Sequence, residues 1–247
     1  LEWNAQQYED QHSFVFKYGA GLLPLISTDA TTILDVGCGT GDLTDQLRQQ
    51  GYTVKGIDQS ANMIKTAQQL YPQTDFAVAD ILALPTSQHY DVIFSNAVFH
   101  WITQQDQLLA QVAQLLNPHG KLICEFGAQG NIQAISDAFS QQLAKLGVSY
   151  RSPFFFPSPT AYKKRLLQHG FQVEQIVAYP RPTTLSAGLA GLSDWVKQFF
   201  AADLAKLSVQ QQATVLANMT QELTPKLWRT DHWEADYRRL RVVATHS

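Results

Sequence analysis

Residues 31–42, Thr31-Thr32-Ile33-Leu34-Asp35-Val36-Gly37-Cys38-Gly39-Thr40-Gly41-Asp42, constrain the fold more than any other stretch. Ile33, Leu34 and Val36 form a short apolar run that reads as a buried strand, and Leu43-Thr44-Asp45-Gln46-Leu47-Arg48 reads as the start of a helix. A glycine turn between strand and helix lets a ligand approach the backbone and leaves helix N–H groups pointing at it. A dinucleotide fingerprint needs G-x-G-x-x-G after the strand. Here Gly37, Gly39 and Gly41 run G-x-G-x-G, and Asp42 stands where the third glycine belongs. Asp35, just upstream, would repel a pyrophosphate. The stretch suits a ligand with positive charge and disfavours a nicotinamide dehydrogenase.

Strand and helix continue to alternate. Thr53–Ile57 reads as a second strand ending in Asp58, and Ser60 caps a helix through Leu70. Phe76–Ala79 is a third strand, ending in Asp80-Ile81, and Asp91–Ser95 is a fourth. A helix from Gln104 to Leu116 leads through an Asn117-Pro118-His119-Gly120 turn to a fifth strand, Lys121–Phe126. This order specifies an α/β fold with a parallel sheet and right-handed crossovers. Beyond Gly127 a helix spans 131–146, an aromatic and proline-rich arm spans 150–159, and a helix spans 162–169. A sixth strand spans 171–179, a mostly helical insertion fills 183–230, and a final strand runs 240–244. Residues 1–30 read as helical. They are either an amphipathic element on the sheet edge or a lid through which Trp3 and Tyr8 reach over the ligand.

The strand ends carry the chemistry. An acid ending the second strand can accept both hydroxyls of a ribose, which is the reading of Asp58. Asp80 can accept from an adenine amino group, with Ile81 covering the ring, or it can cap a turn. Met63 either lies under the adenine or belongs to the core. At 247 residues the chain is one α/β domain or one domain with an insertion. A net charge of −3, without a basic stripe, gives no electrostatic case for nucleic acid or a membrane surface. No apolar run approaches the roughly 20 residues of a membrane span. No basic segment precedes an apolar one as in a secretion signal. Cys38 and Cys124 make neither a disulfide framework nor a metal site, and read as reduced thiols of a cytoplasmic protein.

The segment Leu34-Asp35-Val36-Gly37-Cys38-Gly39-Thr40-Gly41 resembles the first motif of the class I S-adenosylmethionine-dependent methyltransferases, whose cofactor carries an ammonium and a sulfonium. The likeness covers nearly the whole chain and is closest to the trans-aconitate methyltransferase group. It runs through Trp3-Asn4-x-x-x-Tyr8, Asn96-Ala97-Val98-Phe99-His100-Trp101, Leu115-Leu116-Asn117-Pro118-His119-Gly120 and Asp194-Trp195-Val196. The resemblance implies a Rossmann-like, mostly parallel seven-stranded sheet with helices on both faces. Its last strand lies antiparallel between strands five and six. One domain over 1–247 is implied, with 1–30 as lid and 127–170 and 183–235 as segments capping the substrate. The candidate cofactor residues are Asp35, Gly37, Cys38, Gly39, Gly41, Asp58, Gln59, Met63, Asp80, Ile81, Asn96 and Ala97. The candidate acceptor pocket is Trp3, Tyr8, Phe99 and Trp101.

The reaction implied is in-line displacement at an activated methyl, for which the protein mainly supplies proximity and orientation. A carboxylate acceptor is already ionised and needs no base. A hydroxyl or ammonium acceptor needs one, and His100 is the placed candidate, unless it is a wall residue between Phe99 and Trp101. The expected function is methylation of a small molecule, such as the carboxylic acid trans-aconitate, with S-adenosylhomocysteine as product. The alternatives are a non-catalytic protein that binds these cofactors, or a methyltransferase for hydroxyl or amine acceptors. Arg151, Lys163, Arg181 and Arg229 are the basic residues available to an acidic acceptor.

Overall fold

The computed structural model describes residues 19–246. Trp3, Asn4, Tyr8 and most of the expected N-terminal lid lie outside the described residues. In chain order the first elements are β1 (Thr32–Val36), α1 (Asp42–Gln49), β2 (Thr53–Asp58), α2 (Ala61–Leu70), β3 (Asp75–Val78) and β4 (Tyr90–Asn96). Next come α3 (Gln105–Leu115), β5 (Leu116–Gly127), α4 (Gln133–Lys145), α5 (Pro159–Gln168) and β6 (Phe171–Pro180). The last are β7 (Thr183–Leu185), α6 (Gly191–Phe199), α7 (Ala201–Leu204), α8 (Val209–Leu227), β8 (Trp233–Ala235) and β9 (Arg238–His246).

The chain divides into two compact units. The first runs to Ala128 and adds Phe154–Ala178 and the segment from Arg239 onward. It holds a seven-stranded sheet in the order β3-β2-β1-β4-β5-β9-β6. β1 is central because Ile33, Leu34 and Val36 fill both of its faces, as a strand covered on both sides must. It pairs in parallel with β2 and with β4, and β5 pairs antiparallel with β9. On one face Leu34, Val36, Ile93, Leu122 and Leu240 pack with Leu108, Leu109 and Val112 of α3 and with Tyr162 and Leu166 of α5. On the other, Ile33, Phe94, Ile123 and Val243 pack with Leu22, Leu23, Leu43 and Leu47.

The second unit spans Gln129–Pro153 and Tyr179–Arg238. α8 begins with a complete capping box at Ser208 and Gln211 and buries Val215, Met219, Leu223 and Leu227. The rings of Phe139 and Phe200 stack, and Tyr150 meets both edge-on. The expectation of a mostly helical 183–230 needs one correction: Thr183–Leu185 is a strand, paired antiparallel with Trp233–Ala235.

A second correction concerns Asn117-Pro118-His119-Gly120. Strand pairing resumes on both sides of these residues, Tyr90 with Leu116 and then Val92 with Lys121, so they bulge out of β5 rather than precede it. His119 takes a left-handed conformation there (φ 63°), and the Asn117 amide donates to Asp91 Oδ1 at 2.8 Å. Asp91 Oδ2 also accepts the N–H groups of Thr31 and Thr32 at 2.8 and 2.9 Å and both their hydroxyls at 2.8 and 3.0 Å. Burial opposes its charge, but these hydrogen bonds win and hold the carboxyl well below the usual carboxylate range. The amino end of β1 is thereby pinned to β4.

Candidate active site

At the opposite end of β1 the chain turns through Gly37, Gly39 and Gly41, all with positive φ (74°, 56° and 91°). Their surroundings differ. A Cβ on Gly37 would lie 2.1 Å from Val98, and one on Gly41 would lie 2.5 Å from the Phe76 ring, so both are packed tight. Among the described residues a Cβ on Gly39 would meet nothing within 4 Å, so they leave its backbone open to an incoming group. Ile57 O accepts the N–H groups of Gly37 and Cys38 at 2.7 and 3.0 Å, which ties the turn to the end of β2.

Asp58 completes the tie. Its Oδ2 accepts the Gly39 N–H at 3.1 Å and its Oδ1 accepts the Ser60 N–H at 2.8 Å. Ser60 in turn caps α2 by accepting the Met63 N–H. Burial raises the Asp58 carboxyl above its ordinary range, against the pull of the Ser60, Gly39 and Gln59 N–H groups. Asp35 is buried, with Oδ2 accepting the Thr44 hydroxyl at 2.7 Å. Burial, and then the charge of Asp58, outweighs that hydrogen bond and pushes it up to about 7. Two acids share one partly desolvated turn, a setting that gains from a bound cation. Asp42 is in the first turn of α1, where it accepts from Thr40 and Tyr71 at 2.9 Å each. A negative charge therefore stands where a dinucleotide would need a glycine.

The other strand ends follow. Asp80 accepts the Leu82 N–H at 2.9 Å and so caps the short helical turn Ile81–Ala83. Ile81 and Met63 are buried, Gln59 is exposed, and Cys38 is half-buried. After Asn96, Ala97 takes a left-handed conformation (φ 63°), and its N–H donates to Glu125 O at 2.7 Å. A non-glycine residue in that region is uncommon and marks a turn held by its surroundings. Among the described residues no three His, Cys, Asp or Glu side chains are placed to hold a metal ion, and no helix is long and apolar enough to cross a membrane.

Phe99 needs correction. It is fully buried and packs on Phe126 in the core, so it does not face a pocket. Its neighbours behave differently. Trp101 is half-buried, and the Trp101 and Phe154 rings meet edge-on at 4.7 Å. Phe154 stacks on Phe156 at 5.3 Å. His100 lies within 5.6 to 6.1 Å of all three rings. Its carbonyl accepts the Phe155 N–H at 2.8 Å, which holds the Phe154-Phe155-Phe156 run beside it.

Of the four basic residues expected near the acceptor, Arg181 lies over Tyr179, Arg229 pairs with Glu234 at 2.6 Å, and Arg151 and Lys163 are exposed. Sequence reasoning missed Arg239. This arginine is 8% exposed and stands opposite Gly127 in the β5–β9 ladder, at the same sheet edge as the glycine turn. Two residues on, Arg241 pairs with the buried Glu125 at 2.8 Å. The alternation Arg239-x-Arg241 at the head of an apolar strand was the available signal.

Comparison with known proteins gives the family. The family described as a methyltransferase domain matches residues 34–124. An uncharacterised methyltransferase of Schizosaccharomyces pombe is 32% identical over 98% of this chain and 97% of its own length. A trans-aconitate 2-methyltransferase of Deinococcus radiodurans is 31% identical over 80% of each chain. The chain belongs to the class I S-adenosylmethionine-dependent methyltransferases. Haemonchus contortus phosphoethanolamine N-methyltransferase 2, solved with phosphomonomethylethanolamine and S-adenosylhomocysteine, shares the fold. Its TM-score is 0.61 at 17% identity, over 98% of this chain and 56% of that one.

The cofactor of this methyltransferase is S-adenosylmethionine, and the residues present fit it. The open face of Gly39 admits a ligand to the backbone. The Asp35 and Asp58 carboxyls are both raised by burial, and a ligand carrying an ammonium and a sulfonium would favour their ionised forms.

Proposed function

We propose that the methyl acceptor is a small carboxylic acid and the product its methyl ester. The observation that carries this reading is the buried Arg239, set opposite Gly127 at the same sheet edge as the glycine turn. A guanidinium suits recognition of a carboxylate. The relative from Deinococcus radiodurans, named for trans-aconitate, supports the same class of acceptor.

In this reading Asp58 accepts the ribose hydroxyls of the cofactor. Asp80 offers its free lone pairs to the adenine amino group, with Ile81 against the ring. The Gly37–Gly41 turn and Asn96-Ala97 face the methionine portion, and Asp35 supplies charge from beneath the turn. S-adenosylmethionine, when bound, supplies a methyl already activated by its sulfonium. The protein's task is then alignment: Trp101 walls the acceptor, and Arg239 draws its carboxylate to the edge. Neither residue has to move a proton.

The test is a transfer assay with labelled S-adenosylmethionine over a panel of small acids, alcohols and amines, with trans-aconitate among the acids. A base-labile methyl ester from an acid is the expected product. Methylation confined to alcohols or amines would overturn the reading.

A further inference from the structure

The His100 ring is a buried titratable group whose chemistry is still unassigned, and its environment fixes its state. The Gly127 backbone N–H donates to His100 Nδ1 at 3.2 Å. A backbone amide can only donate, so Nδ1 can only accept, and the proton of the neutral ring sits on Nε2. An imidazolium would set N–H against N–H. Among the described residues, the rings that meet it, Trp101, Phe154 and Phe156, do not titrate, and the charged side chain acting on it is Arg239, from β9.

We propose that His100 is a permanently neutral hydrogen-bond donor. Its Nε2–H, on a ring that meets Trp101, Phe154 and Phe156, orients the carboxylate of the acceptor, and it serves neither as a general base nor as plain wall. The proposal rests on the carboxylic-acid reading above and adds a specific contact to it.

Burial first, and the Arg239 charge second, hold the imidazole well below its ordinary range, which agrees with a ring that stays neutral. The transfer balances without it changing protonation. A carboxylate oxygen supplies the electron pair for the new O–CH3 bond, the S–CH3 pair stays with sulfur as a neutral thioether, and no proton moves. A hydroxyl or ammonium acceptor would need a proton taken away, and neither nitrogen of this ring can take it: Nδ1 is occupied and Nε2 already carries one. The aromatic neighbours add shape, since flat rings beside a donor favour an acid with an apolar or unsaturated body.

The experiment uses the full chain with S-adenosylhomocysteine bound, uniformly labelled with 15N-histidine. The seven histidines are sorted by the signal lost in His100→Gln. His100 is expected to show Nδ1 unprotonated and Nε2 protonated, with no titration between about pH 5.5 and about pH 9. Its Nε2–H proton is expected to move downfield when trans-aconitate or another acid from the panel is added. Titration within that range, or a proton on Nδ1, would overturn the proposal. So would an Nε2–H signal that no acid moves in samples that turn those acids over. If no acid is turned over, the carboxylic-acid reading falls while the tautomer result still stands or fails by itself.

A kinetic arm separates orientation from scaffolding. With an acid that is turned over, kcat/KM is expected to stay flat across the same pH range. His100→Ala is expected to lose about tenfold or more. His100→Gln, whose amide N–H can reach the Nε2 position, is expected to recover part of that loss. A sigmoidal pH profile that disappears in His100→Ala would identify a base and contradict the proposal.

Discussion

β1 has an aspartate at each end, and the two are treated in opposite ways. At its amino end Asp91, from the neighbouring strand, accepts from two backbone amides, two hydroxyls and the Asn117 amide, and its carboxyl is held low. Near its carboxyl end Asp35 is buried with the Thr44 hydroxyl for a partner and the charge of Asp58 nearby, and its carboxyl rises to about 7. The first arrangement stabilises the native sheet. The second disfavours the carboxylate, which a bound cation would stabilise. The same residue type, a few residues apart on one sheet, is held charged at one edge and pushed toward its neutral form at the other, and the difference lies in how many donors face it; in the proposed reading the first serves stability and the second binding.

Removing Asp91 should cut deepest into stability. Asp91→Ala strands the Thr31 and Thr32 amides and is expected to cost about 3 kcal/mol in denaturant unfolding. The sign with pH follows from its lowered carboxyl. Its stabilisation is present above the ordinary value of 3.8 and lost as pH falls below it, so variant and wild type should converge in acid. Cofactor affinity of the folded variant should not change. A weakened affinity would break the division of labour between the two edges.

Removing Asp58 should do the reverse. Asp58→Ala is expected to weaken S-adenosylmethionine binding by about thirtyfold or more in calorimetry, because the ribose hydroxyls lose their acceptor and Gly39 its anchor. Unchanged affinity would take Asp58 out of the site.

The smallest effect sharpens the contrast most. Asp35 has a raised carboxyl, so its contribution to stability is full below 3.8 and is lost as pH rises through about 7. Asp35→Asn, without cofactor, should therefore gain on wild type by about 1–2 kcal/mol between pH about 5 and about 8 in thermal or urea unfolding. A difference that ignores pH would mean that the buried carboxyl is fully compensated after all.

The turn and its two acids were legible because their logic is local. Alternate glycines after Leu34-Asp35-Val36, and an acid ending each strand, fix geometry by spacing alone. Asp80 was readable as ligand or cap because Asp does both within a few residues, and the cap is what the Leu82 N–H shows. The His100–Gly127 bond and the place of Arg239 were illegible. The first is a side-chain contact between the turn after β4 and the end of β5, and the second depends on the register in which β9 pairs with β5, which sets Arg239 opposite Gly127; spacing along the chain shows neither. Phe99 misled because an aromatic beside His100 and Trp101 looks like pocket, whereas the short helical turn at 99–101 sends it inward to Phe126. The bulge at 117–120 misled because its residues are good turn formers, yet β-pairing continues on both sides.

The most direct test of the central claim, that Asp35 and Asp58 form a site waiting for a cation, is calorimetric titration of S-adenosylmethionine at about pH 6. It is run in two buffers of different ionisation enthalpy, on wild type and on Asp35→Asn, so that ionisation of the ligand itself cancels. The account predicts binding by both proteins, weaker in the variant, with a fraction of a proton released by wild type that the variant does not release. No binding by wild type, or the same proton release from both proteins, would contradict it.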